Sequence, residues 1–388
     1  MQAASVSPVL KQTPVKALPF TRQYGFRRVL NERVNAFFEA TGLPRRDVPR
    51  MYVKTALLFA AYAAIYALIL TLGARVQPLI TVVLYAAWGF VIAGIGFNVM
   101  HDAIHGSYSN RPWVNRLLGF SSELIGVSSF VWRHKHNVWH HTYTNIAGLD
   151  EDLETNGLFR LSPREPWRPH FRWQHLYSPF VYALTGFSFL LRDFRVFLTG
   201  RSDQYHIYPK MSLQERLIFL TGKAVFFTVS LALPMLLLPW WLALAGWLVM
   251  VIVVGLTLAS IFQLAHVMEP ADFPEPTGDP LQIENEWAIH EVETTVNFAP
   301  NNRFLNFYAG GLNYQIEHHL FPHISHVHYP ALAPIVRKTC EEFGIAYHSY
   351  PRWRDALLAH LRTLRELGRS ASAVLKPPPS WSSATSSQ

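Results

Sequence analysis

Three short stretches hold the residue types best suited to chemistry. His101-Asp102-Ala103-Ile104-His105 spaces two histidines at i, i+4. His136-Asn137-Val138-Trp139-His140-His141 repeats that spacing and adds a third histidine. Gly310-Gly311-Leu312-Asn313-Tyr314-Gln315-Ile316-Glu317-His318-His319-Leu320-Phe321-Pro322 sets Gln315, His318 and His319 at i, i+3 and i+4. On a helix such positions share one face. Imidazole is a good ligand for iron, copper, nickel and zinc. The chain has 18 histidines, and seven of them sit in these clusters. A buried histidine needs a partner for each ring nitrogen, so seven gathered in one core would be costly unless something binds them. A single zinc takes about four ligands. Seven or more imidazoles point to two metal ions.

The elements that must carry these clusters are written in the composition. Half of the 388 residues are hydrophobic and only 15% are charged, against about 25% in a soluble globular chain. The deficit predicts a membrane protein. A single cysteine, Cys340, excludes an intrachain disulfide framework. Met1 to Phe20 lacks the charged start and apolar core of a cleaved signal peptide. The net charge of +8 is spread over the polar segments. With no nucleic-acid motif present, it fits a cytoplasmic membrane face better than a nucleic-acid partner.

Hydropathy places four membrane spans, at about residues 55–74, 76–100, 218–238 and 240–262. They form two hairpins, the second broken at Pro239-Trp240-Trp241. Lys and Arg are concentrated before the first span, while the turn after it holds only Arg75, so the N-terminus is expected to face the cytoplasm. An even number of spans then gathers all three clusters, His266 and both termini on that side. Leu176 to Leu191 is too short to cross and reads as an interfacial helix. Phe26, Leu30, Val34, Phe37 and Phe38 recur at helical spacing, which predicts an amphipathic helix ended by Gly42 and Pro44. That helix could lie on the membrane or pack on its own domain. Two further helices are expected at about 331–343 and 352–368, and a disordered tail from Lys376. The division is a cytoplasmic segment over 1–50, a membrane domain over 51–345, and a C-terminal helix with its tail over 346–388. The fold class is all-α: four transmembrane helices under a cytoplasmic helical cap that carries the metal site.

HDAIH, HNVWHH and QIEHH, in this order around two hairpins, resemble the membrane fatty acid desaturases from about residue 50 to 345. The leading Gln315, the run GLNYQIEHHLFP, and Glu293-Thr294-Thr295 are similar to the front-end and linoleoyl-CoA desaturase branch. The resemblance implies two irons held by His101, His105, His136, His140, His141, His318 and His319. His266 resembles a further ligand, and Gln315 takes the place of a histidine ligand, acting directly or through water. It also implies a desaturase acting on acyl-CoA or acyl-lipid, with O2 as oxidant. The HPGG motif of a fused cytochrome b5 domain is missing, so a separate electron donor is expected, a ferredoxin or a cytochrome b5.

That chemistry explains the residue types. An unactivated CH₂ yields hydrogen only to metal-activated oxygen, which side chains alone cannot supply. The protein must place one C–C bond beside the metals and exclude water. Trp139 and Tyr314 are candidates for the wall of a substrate tunnel. Asp102, Asn145, Asp150, Asp152 and Glu317 are candidates for fixing the ligands, because ligating histidines usually donate their second N–H. His134, His323, His326 and His328 stand outside the family's ligand pattern. A diiron lipid or carotenoid hydroxylase or ketolase is the nearest alternative, and QIEHHLFP argues against it. A histidine-rich metal transporter would need ligands within its spans, whereas these clusters sit at span ends.

Overall fold

The computed structural model describes residues 18–369. Its regular structure is almost wholly helical. The exceptions are isolated bridges and two parallel two-residue strands, Asn297–Phe298 and Ser349–Tyr350. Four helices are long and apolar enough to cross a membrane: α2 Pro49–Leu72, α3 Pro78–His105, α8 Leu213–Leu237 and α9 Trp240–His266. The cap is built from α1 Phe26–Thr41, α4 Pro112–Gly119, α5 over 129–143, α6 Gln174–Ala183 and α7 Thr185–Thr199. It is completed by α10 Trp287–Glu293, α11 Gln315–Leu320, α12 Tyr329–Phe343 and α13 Trp353–Arg369.

The spans run past the lengths that hydropathy sets. α2 starts before the apolar run, at Val48-Pro49, because proline is tolerated in a first helical turn. α3 continues through His101 to His105, and α9 through His266. Hydropathy marks where the charges stop. It does not mark where the backbone stops being helical, and the polar extensions are the parts that matter here. α3 and α9 cross closely because Gly89 leaves room for the Met250 backbone and Gly246 leaves room for the Tyr85 ring. Small residues at a crossing allow such approach in a membrane.

The apolar stretch at 176–191 is two helices. α6 ends at Ala183 and α7 begins at Thr185, 10 and 15 residues long. Each is shorter than the ~20 residues of a span. Gly186 lies against Val251, and Gly255 lies against the carbonyls of Tyr182 and Ala183. The pair is thus held on α9.

α1 turns its apolar stripe inward. Phe26, Leu30, Val34 and Phe38 share a core with Val292, Ile316, Leu320, Leu332, Val336 and Cys340. Full burial of such side chains contributes about 1.5–3 kcal/mol each. Of the two placements open to this helix, the described contacts give packing on its own domain, and they buttress α11. α13 joins a core with Leu258, Ile261 and Ala265 of α9 through Ala356 and Ala359. The tail from Lys376 lies outside the described residues.

Candidate metal centre and acyl cavity

The first two histidine clusters sit at or just past a helical turn that is wound wider than an α-helix. Residues Gly96–Met100 of α3 form a π-turn just before His101, and Arg133–His140 of α5 form another. Such turns recur at functional sites. In α5 the His141 N–H bonds the His136 carbonyl, five residues back. An α-helix would turn His141 about 100° away from His140. The wider winding brings His136, His140 and His141 to the same site, and the Nε2 atoms of His136 and His141 lie 3.3 Å apart.

All nine candidate donors converge and all are buried. His101, His105, His136 and His318 form one group whose ligand atoms lie within 4.8 Å of one another, and His140, His266 and His319 form a second. His141 groups with His318 and His319, so it stands between the two. Gln315 Nε2 is 3.0 Å from His266 Nε2 and 3.4 Å from His319 Nε2. Its Oε1 is buried without a partner, as are His105 Nε2 and His318 Nε2. Orphaned polar atoms are costly in a core. Their convergence, in two groups of nitrogen donors, fits a pair of metal ions. Burial first, and then the neighbouring histidines, push His136, His141, His318 and His319 well below the usual imidazole range. They are therefore neutral at pH 7, the form that ligates.

Carboxylates hold several rings in place. His140 Nδ1 lies 3.1 Å from both oxygens of Asp150 and 3.3 Å from Asp152. Burial works to raise the Asp150 carboxyl, but His140 and the Asn145 N–H outweigh it, so the group is held below its ordinary value. Asp102 stands between His101, at 3.4 Å, and His326, at 2.9 Å. Asn145 donates to the carbonyls of His266, Asp272 and Thr294. Glu317, although inside its cluster, points away and accepts from Asn297 and Tyr347.

Sequence reasoning missed Glu291. Its Oε2 lies 2.6 Å from His319 Nδ1 and accepts from Thr144. It missed Tyr329 as well, whose hydroxyl is 3.4 Å from His318 Nδ1. Neither shares a spacing with the clusters, so only the folded chain reveals them. His326, set aside as a ligand, instead bonds Asp102 and Lys54.

Two cavities border the donors. One, of about 610 Å³, is lined by His136, His140 and His266 and by Asp150, Glu151 and Arg192 at its polar end. The other is narrow and, apart from His101, apolar; it runs between α3, α7 and α9 past Met100, Leu190, Val254 and Leu258. Trp132, Phe189 and Phe262 line both, so the two lie side by side at these rings. Trp139 and Tyr314 line neither. Trp139 packs on Tyr208 and His206, with ring centroids 4.7 and 4.8 Å away, and Tyr314 Oη donates to the Pro300 carbonyl. The aromatics that wall these cavities are thus others, Trp132, Phe189 and Phe262, because the helical winding turns Trp139 away from the histidine face.

A family model described as fatty acid desaturase matches residues 74–351. The sn-1 linoleoyl-lipid 6-desaturase of Arthrospira platensis is 41% identical over 355 residues, 90% of this chain and 94% of the relative. Its counterpart in Synechocystis sp. is 39% identical, covering 91% of this chain and 98% of that one. The acyl-lipid (8-3)-desaturase of Physcomitrium patens is 34% identical over 88% of this chain and 72% of its own.

Proposed function

The chain belongs to the fatty acid desaturase family, membrane-bound enzymes that put a double bond into a fatty acyl chain, and from that premise we propose how its residues divide the work. One iron is held by His101, His105, His136 and His318, the other by His140, His266, His319 and Gln315, with His141 between them. Gln315 serves through Oε1, the amide atom left without a partner. A half-turn of the amide would exchange its oxygen and nitrogen. When bound, the irons supply the oxygen activation that breaking an unactivated C–H bond requires.

The remaining residues bind, orient and exclude water. The apolar channel takes the methyl end of an acyl chain, and the mouth near Asp150 and Arg192 takes its polar end. Trp132, Phe189 and Phe262 grip the carbons that pass beside His136. An acyl-lipid is the favoured substrate class, since the similar enzymes are named as linoleoyl-lipid or acyl-lipid desaturases. O2 and a separate one-electron donor complete the reaction, with the clusters and both termini on the cytoplasmic side.

The observation that carries this reading is the convergence of nine donor side chains, bordered by a narrow apolar cavity at His101 and a larger cavity at His136, His140 and His266. The test is to express the chain in a host lacking unusual unsaturated lipids, feed defined acyl chains, and identify products by mass spectrometry. A new double bond is expected, with two irons per chain in the purified protein. An added hydroxyl, or one zinc with no iron, would overturn the proposal.

A further inference from the structure

Two openings lead from the surface to the histidine cluster, and they differ in charge. The acyl cavity carries Asp150, Glu151, Asp152, Glu154 and Asp203 against Lys135, Arg192 and Arg195. Beside His105 lies a second cavity, of about 580 Å³, which shares no lining residue with the first. Its cations are Arg46, Arg116 and Arg133. Among the described residues none of these three is in an ion pair. Its two carboxylates are already engaged: Glu123 accepts from the Ser129 N–H and hydroxyl, and Glu215 closes the N-terminal cap of α8 with Ser212. Arg116 and Arg133 stand exposed, free to meet an anionic surface.

This basic cavity reaches the donors by a short route. His323 is exposed at its wall, and its Nδ1–H donates to the main-chain oxygen of His105 over 2.9 Å. The His105 ring then stands within about 5 Å, centroid to centroid, of His101, His136, His141 and His318. One hydrogen bond therefore links a surface imidazole to a candidate ligand, on a path that avoids the acyl cavity.

We propose that this cavity is the docking site of a small, acidic, one-electron carrier protein, which feeds the metal centre through His323 and His105. The inference rests on the desaturase reading. Forming the double bond removes two hydrogens, and so two electrons, from the acyl chain. Reducing O2 to two waters takes four electrons. Two reduced carriers supply the other two and leave oxidised, and two protons come from solvent. The acyl cavity's charges are largely paired with one another, Asp152 with Lys135 and Glu151 with Arg192, whereas Arg116 and Arg133 of the basic cavity stand without an ion-pair partner among the described residues, so charge draws an acidic partner to the basic cavity. An anionic lipid head group is the competing occupant, because α8 begins at its wall; but a lipid gains nothing from a bonded route to His105.

The experiment uses the iron-loaded enzyme in nanodiscs of neutral phosphatidylcholine. The probes are a plant-type [2Fe–2S] ferredoxin and the soluble domain of cytochrome b5, titrated separately. Wild-type turnover is measured first. No product with either carrier would fell the desaturase reading itself. In R116E/R133E, with iron content as in wild type, carrier binding should weaken about tenfold and carrier KM should rise to match. Lipid KM and kcat should stay within about twofold, with R116Q/R133Q in between. Wild-type binding should also fall as salt is added. Carrier affinity unchanged in R116E/R133E, binding indifferent to salt, or no binding of either carrier would overturn the docking site. So would a variant that loses only its affinity for anionic vesicles, which would assign the cavity to lipid.

Discussion

Glu291 does for His319 what Asp150 does for His140: each accepts the ring's Nδ1–H and leaves Nε2 aimed at the donor cluster. A histidine whose far nitrogen is held by a carboxylate has its tautomer and ring angle fixed. The two carboxylates differ in setting, however. Asp150 also accepts from the N–H groups of Asn145 and Asp152. Glu291 has the Thr144 and Trp287 side chains besides the ring and no backbone N–H, and burial pushes its carboxyl well above the ordinary range. Glu291→Gln should keep a hydrogen-bonding group of the same size but lose the fixed acceptor. We expect it to lower metal affinity about 10- to 100-fold, read as loss of iron on dialysis against a chelator. Iron retention equal to wild type would show that Glu291 does not position His319. His136→Ala, His140→Ala, His318→Ala and His319→Ala should each abolish product while the protein still inserts, because helices in lipid satisfy their own backbone groups. Turnover near normal in any of them would remove that residue from the ligand set. Gln315→Ala should give partial activity, since water can take the amide's place.

Between elements, the decisive contacts are those of α7 on α9 and α3. Gly186 lines the apolar channel, and a Cβ there would meet the Val251 side chain at 2.8 Å and its carbonyl oxygen at 2.9 Å. A backbone atom cannot step aside as a side-chain tip can. Gly186→Ala should therefore shift α7, costing about 1–3 kcal/mol as overpacking does, and move Phe189 relative to Trp132 and Phe262. The expected readout is a lower inactivation temperature together with a changed preference for acyl chain length. A variant with unaltered chain-length profile and heat tolerance would show that this helix contact does not shape the channel. The same contacts mark where sequence reading stops. His101, His105, His136, His140, His141, His318 and His319 stood out because they lie in short, repeated patterns, and the spans stood out because charge is missing over ~20 residues. Glu291 and His319 are 28 residues apart, and His326 and Asp102 are 224 apart. No local pattern encodes such pairs. Trp132, Phe189 and Phe262 come from three helices, and each alone looks like ordinary packing. The π-turn over Arg133–His140 left no trace that a helical reading could use, although it decides which way Trp139 faces.

For the molecule as a whole, the mechanism depends on which side of the membrane each loop occupies. If electrons arrive from a carrier on one side, as proposed, the clusters on α3, α5, α9 and α11 must share that side. α3 ends at His105 and α9 ends at His266, so the turns at Arg75 and Pro239 lie at the opposite ends of these helices. If α6 and α7 stay on the side of α5, the chain crosses four times and both termini return to the cytoplasm. Their lengths of 10 and 15 residues, with a break at Leu184, support that. Their exposed Phe180, Leu191 and Leu198 suit the interface rather than open water. Cysteine labelling tests the arrangement. With Cys340 replaced by alanine, single cysteines would be introduced as Arg75→Cys, Gln204→Cys and Ser383→Cys. A membrane-impermeant maleimide applied to intact cells should reach only position 75, and after the membrane is opened it should reach 204 and 383 too. Labelling of position 204 from outside would mean that the 174–199 pair crosses. The donors of α9 and α11 would then face away from those of α3 and α5, and a common metal centre could not assemble in the membrane.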